Sequence, residues 1–244
     1  NNGRFVIKLE EKLRKRFGVK NVIAIANGTL ALQVSIKALQ IKGEVITSPF
    51  SYIATSGSLM WEGIKPIFAD IDPHTFNISL SNIDKKISKN TTAVMPVHVF
   101  GNPNEIEGIK KICRKYNLKT IYDASHCFDI NYKNKSILNH GDCSVVSFHA
   151  TKIFHSIEGG AIFTNNDRLA KKIRSLRNFG FIDRKIKNIG INAKMNEFEA
   201  AMGLLVLDDM KKITLSRKKI YMRYSNKINI KFKRQLKSKF SNNN

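Results

Sequence analysis

Lys152 closes the stretch Ser147-Phe148-His149-Ala150-Thr151-Lys152, and Glu158-Gly159-Gly160 follows shortly after it. The apolar run over residues 143–148 predicts a buried strand, and residues 161–164 predict another. A lysine held at the end of a buried strand loses hydration, which favours the neutral amine and makes it a candidate Schiff-base nucleophile. With 42 Lys and Arg in the chain, a surface lysine is the default reading of any one of them. The neighbours of Lys152 argue against that default. Ser147 places a hydroxyl where it can share an anion with adjacent backbone, and Gly159 and Gly160 let the main chain turn tightly beside a ligand.

Three further segments carry complementary chemistry. Ile121-Tyr122-Asp123-Ala124-Ser125-His126 puts a carboxylate at the end of a buried strand with an imidazole close behind. There Asp123 can hold a proton on a heterocyclic nitrogen and make the ring an electron sink; equally, it can cap the next segment. His126 by itself reads as well as a satisfied loop histidine. Asn27-Gly28-Thr29 opens a helix whose free N–H groups and dipole suit a phosphate, although an ordinary N-cap looks the same. Pro49-Phe50-Ser51-Tyr52 sets aromatics at a strand-to-helix turn, where Tyr52 either stacks on a flat ring or packs in the core. Taken together, a phosphate cup (Gly28, Thr29, Ser147), a stacking ring, an aspartate and a lysine suit pyridoxal 5'-phosphate.

The elements that must position these groups alternate along the chain. Apolar periodicity predicts helices over residues 5–17, 28–39, 52–61, 80–87, 105–116, 168–177 and 197–210. Strands are expected over 21–25, 44–47, 66–70, 92–99, 119–122, 143–148 and 161–164. Such alternation indicates an α/β fold with a mainly parallel, doubly covered sheet. Ligands of such sheets gather at the carboxyl ends of the strands, where the candidate residues fall. Residues 1–210 are expected to form the cofactor-binding domain and 211–244 the basic start of a further, incomplete C-terminal region. Asn1-Asn2-Gly3 reads as a turn entered midway.

Composition excludes several classes. The apolar and charged shares, 42% and 25%, read as a soluble globular chain. No apolar run approaches the roughly 18 residues that a membrane helix needs, and no signal peptide is apparent. Cys113, Cys127 and Cys143 are odd in number, widely spaced and set in apolar contexts. They read as reduced core thiols of a cytoplasmic protein, not as a metal site. A net charge of +23 invites a nucleic-acid role. Twelve of the basic residues lie beyond position 210 with no acidic residue among them, however, and no nucleic-acid motif accompanies them.

On the stretch from Ser147 to Lys152 with Glu158-Gly159-Gly160, on Asn27-Gly28-Thr29-Leu30-Ala31-Leu32, and on Gly190-Ile191-Asn192-Ala193-Lys194-Met195-Asn196-Glu197, the chain resembles the DegT/DnrJ/EryC1/StrS sugar aminotransferases of fold type I. The resemblance implies that Lys152 bonds the cofactor aldehyde and that Asp123 pairs with its ring nitrogen. It implies too that Tyr52 stacks on the ring, that His126 approaches the ring hydroxyl, and that Gly28, Thr29 and Ser147 bind the phosphate. Asn192 matches an asparagine that reaches the phosphate of the neighbouring subunit, so the expected active unit is a homodimer. The implied reaction moves an amino group from an amino acid, with glutamate expected, to a nucleotide-linked keto-6-deoxysugar, with dTDP expected. Its product would serve deoxyaminosugar and surface polysaccharide biosynthesis. Ser125 stands where Ala is usual, Asp129 where Gly is frequent and Ile157 where a common motif has its first Gly; these bear on loop shape and substrate fit. The resemblance also makes the chain shorter than members of that family at both ends. A sugar dehydratase of the same fold, which carries His in place of the lysine, and an inactive remnant are the competing readings.

Overall fold

The computed structural model describes residues 3–228, 235–239 and 241; the expected opening turn at Asn1 and Asn2 lies outside them. Helix α1 (Arg4–Phe17) buries Val6, Leu9, Leu13 and Phe17 along one face and ends at left-handed Gly18. Its first free amides are not capped by its own N-cap residue. Instead Glu197, far along the chain, accepts from the backbone N–H of Phe5 at 2.9 Å and of Val6 at 3.1 Å. A carboxylate there answers both the orphan donors and the positive end of the helix dipole.

The chain then alternates through β1 (Asn21–Ile25), α2 (Gly28–Ala38), β2 (Glu44–Thr47), α3 (Ile53–Trp61), β3 (Lys65–Phe68), α4 (Leu80–Lys86), β4 (Thr91–Met95), α5 (Ile106–Lys115) and β5 (Lys119–Asp123). After a short hairpin, β6 (Asn131–Tyr132) and β7 (Lys135–Ser136), come β8 (Cys143–Ser147), β9 (Gly160–Thr164) and α6 (Asp167–Leu176). A second hairpin, β10 (Phe181–Ile182) and β11 (Lys185–Ile186), precedes α7 (Glu197–Lys227). Seven strands form one sheet in the order β1-β9-β8-β5-β4-β2-β3. Every neighbouring pair is parallel except those of β9, which runs antiparallel to β1 and to β8. The cause is the connection: a parallel neighbour needs a crossover element, and none lies between β8 and β9.

Two apolar cores sandwich the sheet. On one face α1 and α7 pack with Phe148, Phe154 and Phe163. On the other, α2 and α6 cover Ile23, Ile25, Val145 and Ile162. The alternating pattern of strand burial puts successive side chains into opposite cores, as a doubly covered sheet requires. The three cysteines are buried and free, and burial pushes their thiols up, that of Cys143 to about 12.

Helix α7 corrects one expectation. Its fully buried positions stop at Met210, with Ile213 packed part-buried against the core one turn on, yet the helix continues to Lys227 with no Gly or Pro to break it. A capping box of Asn196 and Glu199 starts it. Beyond it, residues 235–238 lie back on the body of the fold, where Gln235 donates to the carbonyls of Thr75 and Val99. Among the described residues, no helix is long and apolar enough to cross a membrane.

Candidate active site

The carboxyl ends of β5 and β8, the N-terminus of α2 and the start of α3 surround one cavity of about 620 Å³. Asn27, Gly28, Thr29, Tyr52, Asp123 and Lys152 line it, together with Ser125, His126, Ser147, His149, Thr151 and Glu158. Seven of the eight site residues expected from sequence therefore meet in one place. Asn192 does not: it is exposed, outside this cavity, and its side-chain oxygen accepts from Lys194 Nζ at 2.6 Å.

Lys152 sits on the turn after β8, anchored by its backbone N–H on the His149 carbonyl at 2.9 Å. Its amine lies 3.0 Å from His126 Nε2. Burial lowers the Lys152 pKa from the ordinary lysine value, and the Asp123 carboxylate acts in the opposite sense. On His126, the packed wall behind the ring lowers the pKa first and the Lys152 charge lowers it further, while Asp123 opposes both. The pair therefore disfavours two simultaneous positive charges.

Asp123 ends β5 with only 5% of its surface exposed. A buried carboxylate needs partners, and three donors supply them. Thr55 Oγ1 donates to Oδ2 at 2.7 Å, and Ser125 donates to Oδ1 through its hydroxyl at 2.6 Å and its backbone N–H at 3.1 Å. Thr55 was not among the expected residues. Its signal was its place at the third position of α3, one turn after Tyr52. Ser125, expected to alter loop shape, holds the aspartate.

At the opposite wall, Asn27 caps α2 by accepting from Leu30 N–H at 2.8 Å. A Cβ on Gly28 would sit 3.0 Å from the Ser147 Cβ, and one on Gly160 would sit 2.8 Å from the Asn27 carbonyl carbon. Backbone of α2 and β9 thus packs as closely as glycine permits, and the hollow above Gly28 stays open for an anion. Tyr52 stands 78% exposed at the rim, free of core contacts that would explain it as packing. His149 bridges the mouth, with Nε2 3.3 Å from Glu158 and Nδ1 2.9 Å from the Thr151 hydroxyl.

This donor set fits pyridoxal phosphate: an amine whose pKa burial lowers, a buried aspartate and a helix N-terminus are held around one hollow. Of the residues that depart from common motifs, Asp129 adopts φ 62° and forms a bidentate pair with Arg16 at 2.6 Å. Ile157 adopts φ 70°, a conformation strained for a β-branched residue.

The chain is 48% identical over 229 residues to a dTDP-4-amino-4,6-dideoxy-D-glucose transaminase of Shigella dysenteriae, covering 93% of this chain and 62% of the relative. To a transaminase of the same name from Escherichia coli it is 40% identical over 228 residues, with the same two coverages. The chain thus spans 62% of the length of these curated relatives. Among solved structures, DesI with its TDP-sugar product superposes with a TM-score of 0.83 at 37% identity, covering 87% of this chain and 54% of that one. The profile of the DegT/DnrJ/EryC1/StrS aminotransferases matches residues 1–237, and the chain belongs to that family.

Proposed function

We propose that this chain carries the reactive centre of a pyridoxal-phosphate-dependent aminotransferase acting on a nucleotide-linked keto-6-deoxysugar. The observation that carries this reading is the meeting of the Lys152 amine, the buried Asp123 carboxylate and the open α2 N-terminus in one cavity. Residues 1–210 would hold the cofactor, residues 211–244 would begin a second region, and a second copy would bring Asn192 to the site. The names of the relatives favour a dTDP-linked sugar, and glutamate is the donor we expect. Three buried, unpaired thiols accord with a cytoplasmic setting.

When bound, pyridoxal phosphate would supply an electron sink for a carbanion at the donor's alpha carbon. Gly28, Thr29 and Ser147 would hold its phosphate through backbone N–H groups and a hydroxyl. Asp123, fixed by Thr55 and Ser125, would keep a proton on the ring nitrogen. Tyr52 would cover one ring face and His126 would meet the ring hydroxyl. Lys152 would bond the cofactor aldehyde, and burial lowers the proton affinity of its amine. Its Nζ would serve as the general base that takes the proton from the donor's alpha carbon and as the general acid in the reverse sense for the keto sugar.

The test is an assay with glutamate against a panel of dTDP- and UDP-ketosugars, on this chain and on its Lys152→Ala variant. Aminated sugar from the wild type alone, with some cofactor binding retained in the variant, is the expected result. Substantial turnover by purified Lys152→Ala would sink the assignment, and a 3-deoxysugar product would favour the dehydratase.

A further inference from the structure

A row of aromatic rings leads outward from Lys152. His126, 3.0 Å from the amine, has the ring of Phe100 stacked on it, with centroids 6.1 Å apart and planes 11° apart. Phe100 meets Phe50 edge-on at 6.3 Å, and Phe50 meets Phe76 at 5.7 Å. Phe100 is a poor choice on local grounds. Its backbone is left-handed, φ 53° and ψ 28°, where Gly or Asn is cheaper than a bulky side chain. Core burial does not explain it either, since 62% of its surface is exposed.

The backbone beneath it is nevertheless held firmly. Asn77 Oδ1 accepts from Val99 N–H at 3.0 Å, and Asn77 Nδ2 donates to the Asn102 carbonyl at 3.0 Å. Asn104 donates to the Val97 carbonyl at 2.7 Å. All three asparagines are buried. From the other side Gln235 donates to the Val99 carbonyl, and Ser238 N–H donates to Asn102 Oδ1 at 2.8 Å. A strained conformation kept by so many surrounding bonds points to a use for the side chain it presents.

We propose that Phe100 is a positioning residue: its ring, laid against the His126 imidazole, sets the plane from which Nε2 meets the Lys152 amine. An unstacked imidazole on an exposed loop would rotate about its side-chain bonds. This role rests on Lys152 being the reactive amine proposed above. The charged groups facing His126 are Lys152 and Asp123, and neither is altered by changes at Phe100.

Phe100→Gly separates local strain from positioning, because glycine suits the left-handed backbone while removing the ring. In the cofactor-free chain, nitrogen-resolved NMR would follow the His126 ring through a pH titration, and competitive acetylation with mass spectrometry would follow Lys152. Phe100→Gly is expected to melt no lower than wild type, to shift the His126 midpoint up toward the ordinary histidine value, and to shift the Lys152 midpoint down, because a neutral imidazole is no longer held where it accepts from the ammonium. Phe100→Tyr, which keeps the stack, is expected to leave both midpoints in place. Unchanged midpoints in Phe100→Gly would overturn the proposal, whether or not melting falls, and so would an equal shift in Phe100→Tyr. Neither readout needs turnover, so an absence of transamination would count against the proposed function and not against the stack.

Discussion

An amine attacks an aldehyde only when it is unprotonated, so in the proposed site the proton on Lys152 would decide how readily an aldehyde bonds there. Burial lowers its pKa and Asp123 raises it. Labelling of Lys152 is therefore expected to rise with pH through a midpoint below that of the exposed lysines. In Asp123→Asn the opposing charge is gone and the midpoint should fall further. Competitive labelling of the cofactor-free chain resolves each lysine by mass spectrometry; a Lys152 midpoint equal to the surface set would remove burial as the activating cause. Lys152 and Asp123 were legible in the sequence because Asp123 ends one apolar strand and Lys152 lies on the turn after another, and strand ends are where an open sheet exposes chemistry. Thr55 carried only its place one turn after Tyr52 as a signal, since its partner Asp123 lies 68 residues away, a separation that only the folded sheet and its helices close. Phe100 was equally hidden, because neither its left-handed backbone nor its contact with His126 leaves a local pattern.

Among the elements, the joint between α1 and α7 gives the clearest test. Glu197 supplies the only side-chain acceptors recorded for the first amides of α1 among the described residues. Glu197→Ala should cost about 1–2 kcal/mol, lowering the melting temperature by about 2–8 °C in a chain of this size. Thermal melting checks this, and Glu197→Gln, which keeps an acceptor oxygen, should recover part of the loss. Since Glu197 is no part of the cavity lining, aldehyde binding at Lys152 should not change. The long elements were readable from apolar period alone, with ends within a few residues. Both small hairpins escaped because their turns, Lys133-Asn134 and Asp183-Arg184, take positive φ without glycine, so no turn signal marks them. Helix α7 outran its apolar stripe for a different reason. Residues 211–227 contain good helix formers and an established helix propagates through them at little cost without packing. The reversed direction of β9 did have a signal, the lack of a crossover helix between residues 148 and 159.

At the scale of the whole molecule, the geometry around Asn192 bears on how many chains make a working site. Seven candidate residues share one cavity while Asn192 stands outside it on the loop before α7. If Asn192 serves the site of another copy, as proposed above, that exchange is mutual in a two-fold dimer. Two single variants can then repair each other. On that reading Lys152→Ala would lose the site on its own chain but still lend Asn192, and Asn192→Ala would keep its lysine but lend nothing. Neither homodimer has a complete site, whereas the hybrid has one, made of Lys152 from one chain and Asn192 from the other. If the two variants exchange freely in equal amounts, about half the dimers are hybrids and about one site in four is complete. Transamination by the mixture should therefore recover to about a quarter of wild type, and sedimentation velocity should show a dimer before and after mixing. Full activity of Asn192→Ala by itself would show that the loop serves no neighbouring site. A mixture that stays inactive, with exchange of chains verified by mass, would place both residues in the same chain's chemistry and count against a shared site.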